Sequence, residues 1–329
     1  MIQANEFRRA VAGAAFWLFI FWQQRPRWES DEWIVQLLLL GPLVLVPLAL
    51  WLYRHDDTAR NECRMTARLW RFVELTQFPA ALVLAVGFVR FVPGTIAGLL
   101  ALPWFAVTIA LAVVGVMTSW RRGFWPATTL CRDAALVYVV VGGWGATMDR
   151  FGVYPLDFVP VIILLTAVHF HYAAFVLPLT AGLAGRRVGG KLATATAFCV
   201  VAGAPLVALG INATQLGAPP QLETFAAYVM VAGGVLTAVL HVLLGFDGRR
   251  PAAARVLWLT SAAALTFSMV LAAMYASRFY ADVGWLVIPK MAKLHGTANA
   301  LLFALPAVIG WCVALRQEQA DTSSLPKKK

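Results

Sequence analysis

Charge is what this sequence has least of. Asp, Glu, Lys and Arg make up 13% of its 329 residues against 60% hydrophobic, and no polar stretch is long enough for a soluble domain. Its four cysteines, Cys63, Cys131, Cys199 and Cys312, have no C-x-x-C or zinc-type spacing, which argues against disulfides and structural zinc. Five histidines are too few for a membrane di-iron hydroxylase or desaturase. The chain also has no G-x-x-x-x-G-K-[ST], G-x-G-x-x-G, H-E-x-x-H or G-x-S-x-G motif. Nucleotide-driven transport, dinucleotide chemistry, zincin proteolysis and lipase-type hydrolysis therefore lack their signatures. The residues call for no cofactor and no metal ligand set.

What the chain does have is apolar runs of membrane-spanning length. Ten can be drawn, at 10–22, 33–53, 70–89, 95–118, 134–148, 154–183, 192–212, 222–246, 256–277 and 294–315, of which the first and fifth are short. The fold expected is all-α, a polytopic transmembrane helix bundle of about ten helices (eight to ten). Residues 1–315 would form one integral membrane domain and 316–329 a flexible basic tail. The N-terminus runs into the first apolar segment with no small-residue cleavage site before Gln23, so the first helix is expected to be retained. Internal repeats of the inverted-transporter kind are not visible.

The net charge of +11 points to topology and away from nucleic acid, because the basic residues sit in short loops between apolar runs. With ten spans and both termini inside, twenty of the 27 Lys and Arg fall on one side, including those at 54–71, 121–132, 186–191 and 249–255. Seven fall on the other. This asymmetry supports an N-in, C-in orientation with the lipid bilayer as the principal partner.

Few polar residues lie inside the spans, and each is costly enough to raise a functional question. His169, His171 and Tyr172 stand in the middle of the sixth run. At helical spacing His169 shares a face with Thr166 and Tyr172, while His171 lies about 200° round, so one regular helix cannot aim both histidines at one metal. In the last run, His295 and Asn299 are four residues apart on one face. Glu74 and Gln77 share a face of the third run, where Glu74 either pairs with Arg71 as a structural ion pair or faces a cavity as a candidate acid. The alternative for His169 and His171 is interhelical hydrogen bonding with no further role, and for His295 and Asn299 it is a helix N-terminus at the interface whose polar residues meet water. Asp149, Asp157, Asn212, Asp282 and His241 read as helix caps or headgroup contacts.

The two motifs His169-Phe170-His171-Tyr172 and His295-Gly296-Thr297-Ala298-Asn299 resemble those of the YndJ-like family of bacterial integral membrane proteins, over about residues 30–315. The resemblance implies a multi-pass protein of the bacterial inner (cytoplasmic) membrane, and a chain without the extra soluble region of longer members. It says little about activity.

Two functional classes follow. In the first, His169, Tyr172, His295, Asn299 and Glu74 are catalytic, and His171, Gln77 and Thr166 bind substrate, in a cofactor-independent membrane enzyme. Its acid–base chemistry would be isomerisation, cyclisation or epoxide opening of a small lipophilic substrate. In the second, the same residues are the midplane site of a carrier for a small lipophilic solute.

Overall fold

The structure, a computed structural model, describes residues 3–28, 30–55 and 63–324. All regular elements among the described residues are helical. They run α1 (Gln3–Gln24), α2 (Asp31–His55), α3 (Arg64–Arg90), α4 (Thr95–Arg122), α5 (Ala127–Phe151), α6 (Pro160–Val188), α7 (Gly190–Gln215), α8 (Gln221–Phe246), α9 (Ala252–Phe279) and α10 (Ile288–Asp321). Eight are long and apolar enough to cross a membrane, and α1 and α5 fall outside that set. For α5 the cause is visible in its charges. Arg132–Asp133 near one end and Asp149–Arg150 at the other confine the apolar part to the turns between them.

Connections are short, so successive helices lie side by side. Between α6 and α7 the link is a single residue, Gly189, at φ 73°, a left-handed conformation that a side chain resists. At the centre lies α2, almost every residue of which is buried from Trp33 to Tyr53. Its sequence is apolar all round, as a helix enclosed on every side requires.

Three of the long helices are interrupted by π-helical turns: Gly41–Leu45 in α2, Tyr172–Val176 in α6, and Ala292–Gly296 with Ala298–Ala304 in α10. In α2 the interruption follows from Pro42, which has no N–H to give to the Leu38 carbonyl. The Gly41 N–H turns to Leu38 O instead, and the Val46 N–H reaches back five residues to Gly41 O. This leaves the carbonyls of Leu37 and Pro42 without their usual helical donors.

The two chain ends meet at one end of the bundle. Arg316, on α10, sits 3.5 Å above the ring of Phe7 on α1, and Glu318 pairs with Arg187 (3.1 Å) and Arg250 (2.7 Å). The even number of crossings expected from the charge count agrees with this. The tail expected from residue 316 starts within a helix. The last α-helical stretch is Leu305–Ser324, and Glu318 ties it to Arg187 on α6 and to Arg250 in the connection between α8 and α9; residues 325–329 lie outside the described part.

The same end carries a buried network around Arg132 and Asp133, residues that the apolar runs leave in a loop. Asp133 accepts from Tyr53 Oη (2.7 Å) and Ser119 Oγ (3.0 Å) and pairs with Arg122. Arg132, fully buried, donates to the Tyr53 carbonyl at 3.0 Å and covers the Tyr53 ring at 4.9 Å. A buried ion pair is tolerated when hydrogen bonds use its remaining capacity, and the tyrosine and serine hydroxyls do that for Asp133.

Candidate functional site

The α2 π-turn accounts for three of the eight residues singled out in the sequence. Tyr172 Oη donates to Leu37 O at 2.6 Å, and Gln77 Nε2 donates to Pro42 O at 2.8 Å. These are the two carbonyls that the turn leaves open, and both side chains are buried. His171 packs against the same turn, and both of its ring nitrogens are used. A carbonyl only accepts, so the 2.7 Å contact to Ala167 O puts the proton on Nδ1. Nε2 is then free to accept from Trp104 Nε1–H at 3.1 Å. A Cβ on Gly142 would come within 2.7 Å of His171 Nδ1, so α5 needs glycine there to admit the ring. Tyr172, Gln77 and His171 therefore hold α3, α4, α5 and α6 against the break in α2. Their hydrogen-bonding groups named here are committed to protein partners.

His169 points the other way. Its side chain is exposed on the flank of α6, about 14 Å along the helix from Pro160 at 1.5 Å per residue. Nδ1 meets Leu165 O at 2.7 Å and so carries the proton. Nε2 then presents a lone pair, with no hydrogen bond to it among the described residues. Opposite stands His295, its ring 6.2 Å from that of His169 and inclined by 28°. His295 Nδ1 donates to Ser268 O on α9 at 2.9 Å. Asn299 Nδ2 then donates to its Nε2 at 2.9 Å. The imidazole of His295 is thus fixed in one tautomer from two sides, while His169 is fixed from one.

The depth of His295 comes from where α10 begins. The apolar run suggested a start near residue 294, which would leave His295 at the surface. The helix instead starts at Ile288, two turns earlier, and carries His295 inward. Lys293 lies 5.3 Å above the Trp28 ring, an aromatic anchor that keeps its ammonium at the membrane edge. Thr166 is one turn before His169 on the same face, with its hydroxyl on Ile162 O (2.8 Å). Thr297 accepts from Trp33 Nε1 at 3.0 Å and ties this part of α10 to α2.

Glu74 is elsewhere. The Arg71 pairing considered for it does not form, since Arg71 points outward. Arg54 of α2 takes the carboxylate as an ion pair. Glu74 and Gln77 line a cleft with Glu6, Arg9, Arg54 and Trp70, to which neither histidine motif contributes. His241, expected among the headgroups, is fully buried, with Nδ1 3.2 Å from Ser261 Oγ and its ring beside Phe303.

The constellation that remains is His169, His295 and Asn299, supported by the carbonyls of Leu165 and Ser268. Ser268 could not be found from sequence, because its contribution is a backbone oxygen. Trp104 left no signal either, as one of 13 tryptophans. Pro42 did leave one, a proline inside a long leucine-rich run, which marks a break in a helix.

No solved structure matches the chain. A Bacillus subtilis (strain 168) protein named Uncharacterized membrane protein YndJ is 30% identical over 213 residues, covering 64% of this chain and 38% of that relative. The chain thus corresponds to well under half of that relative's length. A family model described as YndJ-like protein matches residues 36–303. That span contains the α2 π-turn, Gln77, Trp104, Ser268 and both histidine motifs, and the chain belongs to the YndJ-like family.

Proposed function

We propose that this membrane protein is an enzyme that relocates a proton on a small lipophilic substrate, with His169 as the base. The observation that carries this reading is the exposed His169 side chain on the flank of a spanning helix, its Nε2 without a hydrogen bond among the described residues and its ring 6.2 Å from that of His295. A substrate dissolved in the bilayer reaches such a flank sideways. His169 Nε2 accepts a proton from an activated carbon, the Nδ1–H contact to Leu165 O steadies the imidazolium, and the same nitrogen returns the proton at a second carbon. Such an isomerisation needs no co-reactant, and the same proton transfer can open an epoxide or start a cyclisation. Asn299, turned from His295 to the substrate, supplies an N–H to an oxygen that gains charge. Tyr172 and Glu74 leave the catalytic set, since the Leu37 carbonyl and Arg54 already occupy them.

One observation favours the second reading, a carrier for a small lipophilic solute. The π-turns of α2, α6 and α10 are places where helices can bend.

Mass spectrometry of lipid extracts and medium from cells making the wild-type chain or His169→Ala separates the two. The enzyme reading predicts that a lipophilic species disappears in the variant while an isomer or precursor accumulates. A compound that only shifts between cells and medium would favour the carrier. Extracts and medium identical to wild type at equal protein level would refute both.

A further inference from the structure

The cleft between α1, α2 and α3 contains charges that the histidine site does not use. It is lined by the apolar Leu50 and Val73 together with two carboxylates, Glu6 and Glu74, and two guanidiniums, Arg9 and Arg54. Arg54 and Glu74 neutralise one another as an ion pair, with the guanidinium also 5.3 Å above Trp70. Glu6 and Arg9 remain. Glu6 is only 8% exposed, and its Oε2 is buried without a hydrogen-bond partner. Arg9 has no hydrogen bond or ion pair among the described residues. They are three residues apart on one face of α1, so their side chains start about 5–6 Å apart and yet do not pair.

A buried carboxylate oxygen without a donor is costly unless something outside the chain supplies one. An adjacent unpaired guanidinium makes a simple cation an incomplete match, and an anion would leave Glu6 as it is. Complementarity therefore calls for a zwitterion with an N–H-bearing ammonium close to a phosphate. The cleft's place adds the rest. It lies at the end of the bundle where Phe7, Arg316 and the basic helix ends gather, the level at which phospholipid headgroups meet a spanning protein. We infer that the cleft of Glu6, Arg9 and Arg54 binds a primary-ammonium phosphodiester headgroup of the phosphatidylethanolamine type, with the ammonium on Glu6 and the phosphate on Arg9.

Native mass spectrometry of the full chain, delipidated in detergent and titrated with dioleoyl phosphatidylethanolamine, phosphatidylcholine or phosphatidylglycerol, tests this. The ethanolamine lipid is expected to bind about tenfold or more tighter than the other two, the loss typical of one missing charged hydrogen bond. The choline lipid has a quaternary ammonium without N–H, and the glycerol lipid has no cation. Glu6→Gln should bring the ethanolamine lipid to the level of the choline lipid and leave the latter unchanged, while Arg9→Gln should weaken both. Competition by free phosphoethanolamine at millimolar concentration would make the soluble headgroup itself a ligand, and its failure to compete would assign the site to the lipid. Equal binding of ethanolamine and glycerol lipids would overturn the inference. So would a retained ethanolamine preference in Glu6→Gln with an unchanged melting temperature. If Glu6→Gln does not fold, Arg9→Gln decides: full retention of ethanolamine-lipid binding there overturns the inference equally.

Discussion

Tyr172 donates its hydroxyl to the carbonyl oxygen of Leu37 across 2.6 Å, joining α6 to the break in α2. The bond exists because Pro42 cannot supply an N–H to Leu38, which draws the Gly41 N–H away from Leu37. Tyr172→Phe leaves a buried carbonyl open and is expected to destabilise the protein by about 1–3 kcal/mol, with the facing arrangement of His169 and His295 retained. In a Pro42→Ala background the helix can satisfy Leu37 itself, so Tyr172→Phe should cost markedly less. Thermal unfolding of the four proteins of this double-mutant cycle measures the coupling. Additive losses would mean that the tyrosine acts through something other than the proline break.

Glu74 makes the next case, because two arginines compete for it in sequence and one holds it in space. Glu74→Gln strips Arg54 of its counter-charge in a partly enclosed cleft and should lower stability by about 1–3 kcal/mol. Arg71→Ala, at an exposed position, should stay within about 0.5 kcal/mol. Equal effects from the two variants in the same unfolding assay would contradict the Arg54 assignment.

Cys63 gives a native reporter of sidedness and pH. It precedes α3 as its N-cap, and its thiol accepts from the Thr66 N–H, which holds the thiol well below the usual cysteine value, down to about 7. A thiolate forms as pH rises through that value, so alkylation should accelerate between about pH 6 and 8 and level off, where an ordinary cysteine is still climbing. Cys131 and Cys312 are buried, and Cys63→Ser provides the baseline for Cys199. A membrane-impermeant maleimide should label Cys63 in inverted vesicles and spare it in intact cells, as an N-in, C-in chain requires. Labelling in intact cells would reverse the orientation.

The distribution of apolar runs and basic loops made the helical bundle and its even parity legible, because the bilayer punishes every unsatisfied backbone group and the charge bias sorts the loops. His169 and His295 were legible as polar residues inside apolar runs. The roles of Tyr172, Gln77 and His171 were not. Each answers a main-chain or ring demand created by a proline or tryptophan on another helix, and nothing in one helix's own sequence records which carbonyl on its neighbour is open. Glu74 misled for a related reason. Arg71 is its neighbour along the helix, but Arg54, twenty positions earlier in the chain, is its neighbour in space.

The proposed proton transfer requires His169 and His295 to face one another as Nδ1-protonated imidazoles. With five histidines in the chain, solid-state NMR of histidine-labelled protein in bilayers can observe each ring, assigned by single substitution. The expected result is a through-space cross-peak between the rings of His169 and His295, absent in either alanine variant, with both rings showing Nδ1–H and an unprotonated Nε2. Rings more than about 12 Å apart could not both reach one reacting centre. The absence of that cross-peak, or Nε2-protonated tautomers at both positions, would contradict the account.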